Sequence, residues 1–128
     1  MSIKIDISYG ELLDKITILE IKAERITDAV KLANVQTELN VLNETWANAD
    51  IVENDISGPK AALKRVNESL WDIEDQIREM EAAKSFDEAF IALARSVYIT
   101  NDERAAVKRQ INELLGSKLI EEKSYQAY

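Results

Sequence analysis

The sequence predicts an all-α fold, a four- to five-helix antiparallel bundle with a short N-terminal strand and an extended C-terminal arm. Three observations carry this. Apolar residues recur at alternating spacings of four and three along most of the chain, the pattern of helices packed on helices. Only three glycines and one proline occur among 128 residues, too little turn chemistry for a many-stranded sheet. Capping residues also stand where the apolar stripes begin. The length suits a single helical domain over 1–128, able to bury roughly two thirds of its unfolded surface.

The strand is expected at the N-terminus, where Ile3, Ile5 and Ile7 alternate with Lys4 and Asp6. Its partner would be the tail after Gly116 or the same strand of a second subunit. Ser8 with Glu11 reads as a capping box opening a first helix near 8–27, striped by Leu12, Ile16, Leu19, Ala23 and Ile26. The register fails at Thr27–Asp28 and resumes in a new phase with Leu32, Val35, Leu39, Leu42 and Trp46. That phase change predicts a turn and a second helix near 29–47. Ala47 to Gly58 is rich in Asn, Asp and Ser and reads as a loop. Pro59 in a first turn opens a third helix near 59–83, with the seam Leu63, Val66, Leu70, Ile73, Ile77 and Met80. So long a seam predicts a partner in a second copy, hence a homodimer.

Ser85 with Glu88 is a second capping box, opening a helix with Phe86, Phe90, Leu93 and Val97 on its seam. The same register continues through Val107, Ile111 and Leu114, yet between them it meets Thr100 and Arg104. Either the helix breaks there or something polar is kept inside. Thr100 with Glu103 forms a third capping box and favours the break, giving helices near 86–99 and 101–115. Gly116 suits a left-handed residue past the last helix.

Composition narrows the chemistry. With no cysteine and no histidine, the chain lacks disulfides, thiolate chemistry and the usual general base near neutral pH. The net charge of −8 repels a phosphate backbone and argues against nucleic-acid binding. The acidic excess lies in residues 1–100, whereas residues 101–128 carry five basic and five acidic side chains. No secretory signal and no membrane span are legible, so no membrane partner and a cytoplasmic location are expected. There is no P-loop, dinucleotide glycine motif, nucleophile elbow or zinc spacing, and no cofactor or metal is expected. Glu68, Asp72, Asp75 and Glu79 share a face that resembles a magnesium-holding stripe, but that face lies opposite the seam and reads as a solvated one.

The scarce positive charges point elsewhere. Lys15, Lys22 and Arg25 share one side of the first helix, while Arg95, Arg104 and Lys108 surround the polar junction, with Tyr98 on the same face as Arg95. Were these faces to converge, they would form a basic pocket for a phosphate or carboxylate ligand. The plainer alternative pairs Lys15, Lys22 and Arg25 with Glu11 and Asp14, and bridges Arg104 to Glu74 or Asp102 as a structural seam residue.

Several stretches carry a family likeness: Gly10-Glu-Leu-Leu-Asp-Lys-Ile-Thr-Ile-Leu-Glu-Ile-Lys22, Asn67 to Arg78, Phe86-Asp87, Ala94-Arg-Ser-Val-Tyr98, Asn101-Asp-Glu-Arg104 and Glu121-Glu-Lys-Ser-Tyr125. With them the chain resembles an uncharacterised family of bacterial and phage domains, over nearly its whole length. The resemblance implies no reaction and no catalytic residues. It implies a setting near glycosyltransferases and surface-polysaccharide genes, and so an accessory role in glycan biosynthesis. All-helical chorismate mutases open with a similar helix, but Arg25 lacks a lysine three turns on, and Asp102 stands two before Arg104-Ala105, so the substrate clamp is not matched. Two functions follow as expectations: a non-enzymatic, self-associating helical adaptor, or a binding module or enzyme for an anionic metabolite, a sugar phosphate or nucleotide sugar, around Arg104.

Overall fold

The computed structural model describes residues 2–51 and 55–128. Four helices follow in chain order: α1 (Tyr9–Arg25), α2 (Ala29–Ala47), α3 (Ser57–Ala82) and α4 (Glu88–Leu115). The expected all-helical class is present, and no strand occurs among the described residues.

Local side-chain chemistry sets most of the boundaries. Ser8 accepts the Glu11 amide at 3.1 Å and starts α1, although the Glu11 carboxylate reaches Lys108 rather than back to the cap. Ile26 leaves the helix in an extended conformation, and Asp28 accepts the Lys31 amide at 2.9 Å to open α2 at the expected turn. Part of the expected loop, residues 52–54, lies outside the described residues. α3 starts two residues before Pro59, because Asp55 takes both the amide (2.9 Å) and the hydroxyl (2.6 Å) of Ser57.

Three expectations need correction. First, α4 opens at Asp87, whose carboxylate accepts the amides of Ala89 and Phe90, and not at Ser85. The Ser85 amide is already engaged: it donates to the Met80 carbonyl at 2.9 Å, closing α3 around a left-handed Lys84 (φ 53). Second, the break near residue 100 is absent, and the helices expected at 86–99 and 101–115 are one 28-residue helix. The polar seam residues belong to the other branch of the alternative, a polar group kept inside. Third, the N-terminal strand does not form. Residues 2–7 make no backbone hydrogen bonds among the described residues, and Ile3 and Ile5 are 91% and 73% exposed. The tail after Gly116 does not pair with them. Nor is it an arm reaching away: it runs back along α4, with Glu121 on Lys108, Glu122 on Arg109 and Tyr128 on Asp102.

Gly116 ends α4 at φ 63 and ψ 43, and the Ser117 amide donates to the Asn112 carbonyl at 2.8 Å, the expected left-handed closure. α1 is the central helix. It packs on α2, α3 and α4, α3 packs on α4, and α2 meets only α1 among the described helices. The core is accordingly built half from α1 (Leu12, Leu13, Ile16, Leu19), joined by Leu39, Leu63, Ile111 and Leu115. Each such fully buried side chain contributes about 1.5–3 kcal/mol by removal from water. Trp46 packs against this core and meets Tyr9 edge to face at 6.2 Å. Beyond Asn67 in α3 and before Thr100 in α4 no residue is fully buried, and outside the contacts of Arg25 with Glu68, Trp71 and Asp72 and of Tyr128 with Tyr98 this end of the hairpin projects from the core.

Candidate functional site

A buried charged junction sits where α1, α3 and α4 meet. Its centre is Asp14, 1% exposed, on α1 between the core residues Leu13 and Ile16. Oδ1 of Asp14 accepts from Arg104 Nε at 2.9 Å and from Asn67 Nδ2 at 2.9 Å, and the second oxygen accepts from Arg104 Nη2. Asn67 also donates to the Thr17 hydroxyl, which itself donates to the Asp14 carbonyl at 2.9 Å. A two-pronged guanidinium–carboxylate pair with a third acceptor site filled by an amide is an arrangement that lets a charge be buried.

One turn further along α4, Lys108 Nζ donates to Glu11 at 2.7 Å and to Glu121 of the tail at 2.8 Å, with Asp14 at 3.9 Å. Burial works against its charge, but the hydrogen bonds it donates to Glu11 and Glu121 and the field of Asp14 outweigh this and raise its pKa. The hydrogen bond to Asp14 raises that of Arg104, against desolvation. Lys108 in turn lowers the pKa of the Glu121 carboxyl by hydrogen bonding to it.

Gly10 makes this geometry possible. Its amide donates to Oδ1 of the buried Asn112 at 2.7 Å, and a Cβ built on it would stand 2.5 Å from the Lys108 carbonyl oxygen. Only a residue without a side chain lets α1 lie this close to the last turns of α4. That approach is what brings Glu11 and Asp14 within reach of Lys108 and Arg104.

Of the expected basic residues, Arg104 and Lys108 come together here. Lys15 is adjacent, 3.6 Å from the opposite oxygen of Glu11, but mostly exposed. Lys22 lies with Lys15, Ile18 and Glu38 along a shallow groove between α1 and α2. Arg25 points to α3, pairing with Asp72 at 2.7 Å and Glu68 at 3.8 Å while its guanidinium covers the Trp71 ring. Arg95 is exposed on another turn of α4, and Tyr98 meets the ring of Tyr128 edge to face at 5.2 Å. The seven do not form one pocket. A small polar cleft of 200 Å³ does open beside Arg104 and Lys108, bordered by Glu11, Glu121 and Lys123.

Sequence reading missed Asp14, Asn67 and Asn112 as the partners that matter. Asp14 did carry a signal: a carboxylate inside Leu12-Leu13-Asp14-Lys15-Ile16 leaves little room for water on that side of α1. Among the described residues no three acidic side chains gather in a way that could hold a metal ion. Glu68 and Asp72 of the carboxylate stripe are instead partners of Arg25.

A match to a family of unknown function (DUF6165) spans residues 3–128. The chain belongs to that family. No curated protein and no solved structure matches it. Gly10, Glu11, Asp14, Asn67, Arg104 and Glu121 of the junction all lie within the matched span. DUF6165 membership leaves the activity open, and no described helix is long and apolar enough to cross a membrane.

Proposed function

We propose that this DUF6165 chain is a non-enzymatic helical adaptor that self-associates through the projecting end of the α3–α4 hairpin. One observation supports this above the others. Ile73, Ile77 and Met80 with Phe90, Leu93 and Val97 form a seam that is only partly buried, flanked by Phe86 and Ile91, which are 53% and 54% exposed. Two helices cannot dry such a seam between themselves, whereas a second hairpin laid on it makes a four-helix bundle. The buried junction fits the same reading. Its cations already hold carboxylates of the chain, so it acts as a register lock between α1 and α4.

The test is the mass in solution. Light scattering is expected to give a mass above that of the monomer, and Phe86→Glu with Ile91→Glu a lower mass with unchanged helical circular dichroism. A wild-type monomer at high concentration refutes the proposal. A cytoplasmic bacterial or phage protein serving surface-glycan biosynthesis is part of the proposal, supported by the resemblance of the stretches quoted above.

A second reading rests on Glu121. This exposed tail carboxylate occupies the cleft beside Lys108 and Arg104 as a free anion's oxygen would, so a phosphate- or carboxylate-bearing metabolite, such as a sugar phosphate, would compete with it. Glu121→Gln is expected to enhance a thermal shift by sugar phosphates. Ligand at 100 times its dissociation constant adds about 2.7 kcal/mol. No shift with either form removes this reading.

A further inference from the structure

We infer that residues 2–7 pair with the same residues of a second copy as a two-stranded antiparallel ladder centred on Ile5. This surface lies near the C-terminal end of α4, where Gly10 meets Asn112, away from the projecting hairpin, and does not depend on it. Three observations converge on it. The segment's backbone amides and carbonyls have no partner among the described residues. Its β-branched Ile3, Ile5 and Ile7 would fall on one face of a strand, with Ser2, Lys4 and Asp6 on the other. Ile7 is anchored against the core while Ile5 and Ile3 are progressively uncovered.

The occupant follows from self-complementarity. A two-fold axis through Ile5 sets Lys4 opposite Asp6 of the second copy, and Asp6 opposite its Lys4. It also sets the exposed Ile3 on the anchored Ile7 and Ile5 on Ile5. Shifting the ladder by one pair in either direction opposes lysine to lysine or aspartate to aspartate, and so does a parallel in-register pairing. Like charges directly opposite destabilise a ladder and unlike charges support it. Only one even register therefore satisfies both faces, and it is isologous, as a closed dimer requires. A cleft of 550 Å³ beside the segment, bordered by Ile5, Ile7, Leu12 and Leu119, offers apolar surface for the incoming isoleucines. Strand addition to unpaired backbone is an established mode of association.

Sedimentation in the Phe86→Glu, Ile91→Glu background keeps the hairpin from masking the result. That protein is expected to remain dimeric. Adding Asp6→Lys, or separately Lys4→Asp, is expected to weaken the dimer at least about tenfold, and mixing the two charge variants to restore a heterodimer of their opposite segments. The chain has no cysteine, so Ile5→Cys gives a clean second readout: mild oxidation is expected to yield a covalent dimer, and Lys4→Cys far less. A monomeric background protein, or charge variants with undiminished dimer, overturns the strand pairing. A dimer lost only on the hairpin substitutions supports the hairpin alone.

Discussion

Arg104 stands at a seam position where leucine would be expected, and its reach decides what α4 does there. Its guanidinium grips a carboxylate almost sealed from water, with Asn67 donating to the same oxygen as Arg104 Nε. Removing one partner of such a pair leaves the other charge buried and unpaired, at a cost of about 3–5 kcal/mol. Arg104→Ala is therefore expected to lower unfolding stability by that amount in urea titrations. Replacing Asp14 and Arg104 together by leucine and methionine should cost much less. A loss in the double variant equal to the sum of the two single losses would show that the pair has no coupling. At this scale the sequence was half legible. The misplaced arginine was visible, but its partner was not, because the two lie 90 positions apart. The nearby candidates Glu74 and Asp102 were chemically as good. Arg25 shows the same limit, since its charge was evident while its pairing with Asp72 and its place over Trp71 depend on how α1 crosses α3.

Elements were read better than their ends. The stripes on α1, α2 and α3, the turn at Asp28 and the left-handed Gly116 are local patterns, and local patterns survive folding. Capping boxes misled twice, since a serine or threonine three residues before a glutamate can equally lie in a turn or inside a helix. Ser85 lost its role because its amide closes α3, and Thr100 because α4 gains more by continuing along α1 and α3 than by stopping. A continuous α4 has a sharp consequence. Thr100→Pro removes a mid-helix hydrogen bond and is expected to destabilise by about 3 kcal/mol or more. Calorimetry that finds it neutral would point back to a break at this position.

At the scale of the molecule, α1 organises the packing and the tail folds back along α4. The tail is the titratable part. Glu121 has a lowered pKa in the folded chain, so its contribution is present above the ordinary glutamate value of about 4.3 and is lost as pH falls through the folded value. Lys108 has a raised pKa, so its contribution holds below about 10.4 and is lost as pH rises through the folded value. The Tyr98–Tyr128 ring contact, followed by nuclear Overhauser effects, is expected to persist between those limits and to weaken in acid. A contact unchanged below about pH 3, where carboxylates are protonated, would mean that the ion pairs do not hold the tail. By itself the sequence determined the helical class, the phase of the apolar stripes and the turn chemistry, because these depend on residues a few positions apart. The continuity of α4, the burial of Asp14 against Arg104 and the folding back of the tail were decided only by tertiary structure. Each depends on a partner distant in the chain, and on Gly10 letting two helices approach more closely than any side chain would allow.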